Sequence, residues 1–332
     1  MKVCVYGAGA IGGHLGVRLA LAGNEVSAVA RGGTLAALRQ KGWRLQLGDD
    51  LHTVEVAASN DPGDLGVQDL VVVSVKATAM RDVAERMAPL IGPETVVLTA
   101  MNGVPWWFFD GFGGEFEGTR LEAVDPGGAI AEAIATRHVL GGVVHMSCAV
   151  VEPGLVRHVA GNLVMIGEPS GRDSERVRAV ADVLVGAGLE TRVVPSIQSE
   201  IWYKLWGNMT MNPISALTGS TCDRILDDPF VNRFCLDVMA EASAIGDRIG
   251  CPISQTGEER NALTRQLGAF KTSMLRDVEA GKAVELDALV TVVSEIACKV
   301  GVPTPNIHTL LGLARLHARV RGLYPEESGI EG

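Results

Sequence analysis

The chain has 332 residues, of which 47% are hydrophobic and 20% charged, a globular composition that excludes a predominantly disordered protein. At about 150 residues per domain, this length predicts about two domains. The net charge of −10 makes nucleic acids and anionic membrane surfaces poor partners, so an anionic ligand would need a local basic site.

The cysteines and histidines show no metal-binding spacing. The six cysteines include no Cys-x-x-Cys pair, and the seven histidines include no His-x-x-x-His pair. We therefore expect no metal site, reduced thiols and a cytoplasmic location. A signal peptide and an uncharged apolar run of about 18 residues are both missing, so no transmembrane helix is predicted.

Short apolar runs alternate with helical patterns along the first 100 residues. Strands are predicted at 2–6, 25–30, 69–75 and 95–99, helices at 11–22, 35–40 and 79–90, and a hairpin at 44–56. The β-branched run at 69–75 is typical of a strand buried on both faces. This alternation predicts an α/β fold with a doubly wound parallel sheet.

The pattern changes after Pro195. Before it, strands at 141–151, 154–159 and 191–194 and a helix at 174–187 extend the α/β region. Beyond it, helical periodicity covers 197–218, 229–249, 258–279, 284–300 and 307–320. We therefore predict an α/β domain over 1–195, an all-α domain over 196–321 and a mobile tail over 322–332.

A Gly-x-Gly-x-x-Gly motif directly follows the first strand and opens the first helix. This context is typical of a dinucleotide-binding turn, in which the glycines admit a pyrophosphate to the helix N-terminus. The alternative is a flexible turn without a ligand. The expected cofactor contacts are Gly7, Ala8, Gly9, Ala10, Ile11 and Gly12.

The end of the second strand indicates which cofactor is bound. An NAD site usually carries Asp or Glu there to bind the ribose 2′-hydroxyl, but this strand ends in Arg31. Arginine suits a 2′-phosphate, and Lys76, just after the third buried strand, supplies a second cation. Unless both are merely solvated surface charges, they favour NADP(H).

Three polar residues share one face of an otherwise apolar helix. Lys204, Asn208 and Asn212 follow at i, i+4 and i+8 among tryptophans, leucine and methionines. Such groups on a buried helix need polar partners or a polar substrate, although a solvated stripe would show the same spacing.

Asn102 follows a buried strand of the parallel sheet, whose carboxyl edge is where ligands bind. Asn102-Gly103 could also be simple turn chemistry.

At these residues the chain resembles the ketopantoate reductase (2-dehydropantoate 2-reductase) family. The matching segments are NGVP at 102–105, KLWGNMTMNPISAL at 204–217 and the Ser-Met…Glu-Leu-Asp segment at 273–287. The resemblance implies a Rossmann-type domain joined to a helical domain like that of the 6-phosphogluconate dehydrogenases, with the active site in the cleft. It also implies NADPH-dependent reduction of a 2-keto acid to a 2-hydroxy acid, foremost 2-dehydropantoate to pantoate in pantothenate biosynthesis.

Roles for individual residues follow from the resemblance. It implies that Lys204 is the general acid and that Glu285 is a carboxylate that contacts cofactor or substrate. Ser273 and Glu285 are singled out by the resemblance and not by the sequence pattern alone. The substrate-binding residues it implies are Asn208, Asn212, Ser273 and Asn102. The cofactor contacts it implies beyond the glycine turn are Arg31, Lys76, Asn102, Ala149 and Glu285.

Two departures from the family leave the substrate open. An aromatic block (106–109) follows NGVP, and the segment 219–222 lacks an asparagine that some members use. If Trp106 or Trp107 lines the cleft, a bulkier 2-keto acid is favoured; the alternative is that both fill the core. One other hypothesis is a non-catalytic NADPH sensor, but the presence of Lys204 argues against it. Another is a decarboxylating dehydrogenase of the 6-phosphogluconate type, which needs cations to bind a phosphorylated sugar; the helix of Lys204 offers one lysine and no arginine. A homodimer is left open.

Overall fold

A computed structural model of the chain describes residues 1–326. The chain forms two compact units. The first contains Met1–Met101, Trp106–Arg120 and Gly127–Glu200, and the second contains Asn102–Pro105, Leu121–Pro126 and the chain from Ile201 onward. The first unit thus extends past the boundary predicted at residue 195, and two short segments of the predicted first domain belong to the second unit.

The first unit is built on one ten-stranded sheet. Its strands are β1 (Lys2–Tyr6), β2 (Glu25–Val29), β3 (Trp43–Leu47), β4 (Asp50–Val54), β5 (Ala57–Ser59), β6 (Leu70–Val73), β7 (Val96–Thr99), β8 (Val139–Glu152), β9 (Leu155–Gly167) and β10 (Glu190–Val193). Their order is β4-β3-β9-β8-β7-β6-β1-β2-β5, and β10 also pairs with β9. The run from β8 to β5 is parallel, which confirms the predicted α/β sheet.

Two additions enlarge this parallel sheet. The antiparallel pair β8–β9 extends it, as the strands predicted at 141–159 indicated, although both strands are longer than expected. The predicted hairpin is β3–β4, and β3 runs parallel to the first part of β9. The short edge strand β5 was not predicted, because three residues carry too little periodicity.

Five α-helices belong wholly to the first unit. They are α1 (Ala10–Leu21), α2 (Gly32–Lys41), α3 (Met80–Arg86), α4 (Ala129–Ala133) and α5 (Glu175–Gly186). The helix predicted at 79–90 is shorter, because Pro89 disfavours helical geometry in the residue before it and the chain closes with a 3₁₀ turn, Ala88–Leu90. Helix α1 lies against Trp43, and a Cβ at Gly16 would stand 2.4 Å from its indole ring.

The aromatic block 106–109 is core packing in the first unit. All four side chains are at most 5% exposed. Trp107 lies over Gly141, where a Cβ would stand 2.6 Å from the indole ring. Trp107 is therefore a packing residue, and the apolar wall that would favour a bulky substrate has no support at this position.

The second unit is helical, as predicted. Its helices are α6 (Ile197–Thr218, which begins in the first unit), α7 (Cys222–Asp227), α8 (Pro229–Arg248), α9 (Gly257–Arg265), α10 (Ser273–Glu279), α11 (Val292–Val300) and α12 (Pro305–Val320). The Asp228 carboxylate caps the start of α8, because it accepts from the N–H groups of Phe230 and Val231. The short helix α7 was not predicted.

The single helix predicted at 258–279 is wrong. The chain there forms α9 and α10 with a break between them. Gly268 has a φ of +63°, which ends helical geometry. The Thr272 hydroxyl then accepts from the N–H of Leu275 and starts α10 anew. Helical periodicity continues through this break, so the pattern alone could not reveal it.

The predicted mobile tail falls only partly on described residues. Leu323 is 6% exposed, and its N–H donates to the carbonyl of Ala318. Residues 327–332 lie outside the described residues. Within the described part of the chain, no helix is long and apolar enough to cross a membrane.

A buried histidine in α1 makes stability depend on pH. His14 is fully buried, and neither ring nitrogen has a hydrogen-bond partner within residues 1–326. Its ring centroid lies 5.0 Å from that of His158. Burial, with smaller effects of His158 and Arg18, lowers the pKa of His14 from 6.5 to about 4.

We expect the free energy of unfolding of the His14→Leu variant to fall less at acidic pH than that of the parent. The unfolded chain binds one more proton than the folded chain between the two pKa values, so the folded state loses stability as the pH falls from 6.5 to about 4. This group contributes about 3 kcal/mol to that loss. Urea unfolding across this range measures it, with the exposed His308→Gln as control. An unchanged slope in His14→Leu would refute the assignment.

Candidate active site

A cavity of about 380 Å³ lies in the first unit at the carboxyl ends of β1, β2 and β6. Its lining comes from the glycine turn, the end of β2, Asn60 after β5, the segment after β6, and α3. The lining residues used below are Tyr6, Gly7, Gly9, Arg31, Lys76, Asp82 and Arg86. In a parallel sheet this edge is where nucleotides bind.

The three motif glycines each have a separate structural reason. Gly7 has a φ of +103°, which other residues rarely adopt. Around the position of a Cβ on Gly9 there is no atom within 4 Å, so the backbone is open to a ligand. A Cβ on Gly12 would stand 2.0 Å from the carbonyl oxygen of Gly7 and 2.3 Å from Ser74 Oγ. Only glycine therefore permits α1 to begin so close to β1 and β6.

The start of α1 fits a pyrophosphate. Gly9 is its N-cap and supplies no side-chain cap, and its first turn contains no acidic residue. The first N–H groups and the positive end of the helix dipole are thus available to an anion. Ala10 and Ile11 lie in this first turn and are half-buried. Gly7, Ala8 and Gly9 line the cavity, whereas Ala10, Ile11 and Gly12 form the start of α1, and contact of all six with a cofactor stays a prediction.

Three cationic side chains and one acidic side chain line the cavity together with the glycine turn. Arg31 is the N-cap of α2, with a side chain 82% exposed, and Lys76 precedes the 3₁₀ turn Ala77–Ala79. Arg86 donates to the carbonyl of Asn60 over 2.6 Å. Asp82 lies 4.0 Å from Arg31, a long and exposed ion pair.

Asp82, Arg86 and Tyr6 line the cavity and were not predicted from the sequence. The two α3 residues have the spacing of a solvated helix face, so the sequence held no signal for them. Tyr6 is 5% exposed, and its hydroxyl has no hydrogen-bond partner within the described residues. Burial raises the pKa of Tyr6, whereas the nearby Arg86 lowers it. The tyrosine thus forms an uncharged floor below the basic end of the cavity.

Lys204, Asn102 and Glu285 come together in the second unit. Lys204 Nζ donates to Asn102 Oδ1 over 2.8 Å. Burial lowers the pKa of Lys204 from 10.5 to about 8, and the Glu285 carboxylate partly opposes this by favouring the ammonium form. The result is a positioned ammonium group that is more acidic than an ordinary lysine.

Backbone packing brings Asn102 to this group. The next residue, Gly103, has a φ of +86°, and a Cβ on it would stand 2.4 Å from the carbonyl oxygen of Ala288. The N–H of Val104 donates to the same carbonyl over 2.9 Å. Ala288 lies in a π-helical turn (Asp287–Thr291), a geometry that is frequent at functional sites. The predicted helix at 284–300 is thus this turn followed by α11.

The other predicted substrate residues lie in the same unit. Asn208 is half-buried and Asn212 is 5% exposed on the Lys204 face of α6, whereas Ser273 is exposed at the start of α10. Within residues 1–326, no hydrogen bond joins these three side chains to Lys204.

The expected backbone contact of Ala149 with the cofactor stays a prediction. This residue lies in β8 opposite Arg157, next to irregularities in the β8–β9 ladder, and the cavity lining does not include it. Among the described residues, no group of three or more His, Cys, Asp or Glu side chains is arranged to hold a metal ion.

Comparisons with known proteins cover both units. The family model "Ketopantoate reductase PanE/ApbA" matches residues 3–106, and its C-terminal counterpart matches residues 196–318. A 2-dehydropantoate 2-reductase from Mesorhizobium japonicum is 46% identical over 98% of this chain and 100% of its own length.

Solved structures show the same fold. A candidate ketopantoate reductase from Ralstonia solanacearum MolK2 is 59% identical, with a TM-score of 0.94 over 97% of this chain and 99% of that one. A D-mandelate dehydrogenase bound to NADH and anilino(oxo)acetate matches with a TM-score of 0.82 over 97% of this chain and 100% of that one. At 19% identity, that second likeness concerns the fold alone.

Proposed function

Because the chain belongs to the ketopantoate reductase family, it is an oxidoreductase, and we propose that it reduces 2-dehydropantoate to pantoate with NADPH. The observation that carries this proposal is the partly buried Lys204 ammonium, held by Asn102 and facing the charge of Glu285. A non-catalytic NADPH sensor would have no use for such a group.

Lys204 acts as the general acid in the proposed reaction. When bound, NADPH supplies the hydride for the keto carbon. The Lys204 ammonium stabilises the growing negative charge on the keto oxygen and donates its proton there. A pKa of about 8 keeps it protonated at neutral pH and makes proton transfer easier than from an ordinary lysine. Asn102 fixes the direction of the ammonium, and Glu285 favours its charged form.

The remaining predicted residues orient the two ligands. We assign Asn208, Asn212 and Ser273 to the substrate, because amide and hydroxyl groups suit the carboxylate and hydroxyl of a 2-keto-4-hydroxy acid. We assign the glycine turn to the pyrophosphate. Arg31 and Lys76, with Arg86 beside them, are assigned to the 2′-phosphate, because together they outnumber the single acid Asp82.

A panel of 2-keto acids tests the proposed function. The loss of NADPH absorbance should be fastest with 2-dehydropantoate. A higher kcat/KM for a bulkier 2-keto acid would favour the related reductase instead. Tight NADPH binding without turnover of any keto acid would favour the sensor.

The Arg31→Ala variant is expected to raise the KM for NADPH about 5- to 30-fold and to change that for NADH little. A charge-assisted hydrogen bond to a phosphate contributes about 1.5–3 kcal/mol, and the solvent exposure of Arg31 reduces this to about 1–2 kcal/mol. The control is Arg81→Ala, an exposed arginine of α3 paired with Glu85. Equal effects on both cofactors would show that Arg31 does not recognise the phosphate.

Location and assembly stay predictions. All six cysteines are free and five are buried, and reduced thiols and a cytoplasmic location stay expectations from the sequence. Sedimentation equilibrium would decide whether the chain forms the homodimer that the sequence left open.

A further inference from the structure

The segment that carries Glu285 is bonded at both ends to residues that follow the last helix. At one end, the N–H of Val284 donates to the carbonyl of Leu323 over 3.1 Å. At the other end, the Tyr324 hydroxyl donates to Asp287 Oδ1. Glu285 therefore lies between two attachment points supplied by consecutive residues, Leu323 and Tyr324.

These two residues are themselves held firmly. Leu323 is buried, and its N–H donates to the carbonyl of Ala318 over 2.8 Å, which ends α12. The Arg319 guanidinium lies 5.6 Å from the centre of the Tyr324 ring, and its Nε donates to the carbonyl of Pro325 over 3.0 Å.

We propose that Leu323 and Tyr324 form a C-terminal clasp that positions Glu285 beside Lys204. This inference rests on the proposed function, in which Lys204 is the acid and Glu285 supports its charge. Neither clasp residue lines the glycine-turn cavity, and we assign both as positioning residues. Their effect reaches the reaction through Glu285.

The surroundings of Tyr324 keep its hydroxyl protonated, so that it can donate a hydrogen bond to Asp287. Burial and then the Asp287 carboxylate raise the pKa of Tyr324 to about 12, whereas Arg315 lowers it. Its hydroxyl thus stays protonated over the working range of an enzyme. Asp287 also accepts from the Thr291 hydroxyl over 3.0 Å, so it ties the clasp to the π-helical turn.

Loss of the clasp should be detected at the Lys204 ammonium. The attraction between two charges falls with their separation, so a Glu285 that is free to move supports the ammonium less. The pKa of Lys204 should then drop further below its ordinary value, because burial would act with less opposition. A clasp that only stabilises the fold would lower the unfolding temperature and leave this pKa unchanged.

The experiment is NMR titration of the full chain labelled at the lysine side-chain nitrogens. The chain has seven lysines, and Lys204→Arg assigns the signal. Glu285→Gln should lower the pKa of Lys204, and this decrease is the largest that loss of the clasp could cause. Tyr324→Phe should move the pKa in the same direction, by about 0.5. The titration needs no substrate. If the chain reduced no 2-keto acid, the proposed function would be wrong, but the titration would still test the clasp.

Two shortened chains provide a matched comparison. A chain that ends at Glu326 keeps the clasp and should titrate like the parent, whereas one that ends at Gly322 lacks it and should titrate like Tyr324→Phe. If the shorter chain does not fold, Tyr324→Phe decides. A parental Lys204 pKa in folded Tyr324→Phe would overturn the proposal. A parental pKa in Glu285→Gln would do the same, because the clasp would then have nothing to act through.

Discussion

Replacing Lys204 with methionine is expected to lower kcat about 10²- to 10⁴-fold, the usual effect of removing a positioned proton donor. Methionine keeps most of the side-chain volume, so the partly buried site should still pack. The first unit, which carries the glycine-turn cavity proposed to bind NADPH, is unchanged, so NADPH binding measured by fluorescence should remain. The matched control is Lys271→Met, an exposed lysine of the same unit that is paired with Glu279.

The pH profile supplies the independent check. In the parent enzyme kcat should fall as the pH rises through about 8, because the ammonium that donates the proton is lost there. The residual activity of Lys204→Met should lack this limb. A near-parental kcat at neutral pH in the variant would mean that another group donates the proton.

The Gly103→Ala variant is expected to lower kcat about 10- to 100-fold. Its Cβ would meet the carbonyl of Ala288, and the backbone would be held at an unfavourable positive φ. The turn must move, and Asn102 then loses its hydrogen bond to Lys204. We also expect the free energy of unfolding to drop by about 1–3 kcal/mol.

A second glycine separates the clash from the backbone strain. Gly281 has a φ of +62°, and a Cβ there would have no atom within 4 Å. Gly281→Ala should therefore lose stability through strain alone and keep its kcat. If both variants lost activity equally, the contact with Ala288 would have no special role in placing Asn102.

The sequence predicted features whose cause is local. The glycine motif lies in consecutive residues, and the reason for each glycine is a neighbouring backbone or side-chain atom, so pattern and structure agree. Helix α6 is predicted with its exact ends, because its apolar face and polar stripe repeat over 22 residues.

Features created by tertiary convergence were not predictable. Asp82 and Arg86 line the glycine-turn cavity only once the chain has folded, and nothing in their spacing distinguishes them from solvated residues. Glu285 was singled out by family resemblance alone, because it lies far from Lys204 in the sequence and periodicity does not reveal that the two groups interact. The sequence could not decide whether the aromatic block fills the core or lines a substrate cleft, because large apolar side chains occur in both places.

The chain passes between the two units at five places, since 102–105 and 121–126 belong to the second unit. The second of these segments is anchored there by the Glu295 carboxylate, which accepts from the N–H groups of Glu122 and Ala123. A single cut near residue 200 would therefore separate Asn102 from Lys204. Recombination that swaps the helical half between relatives joins the Asn102 turn of one parent to the Lys204 helix of the other. Such chimeras would have to conserve the fit of Gly103 to Ala288 across the junction, which limits how freely the halves of this enzyme can be exchanged.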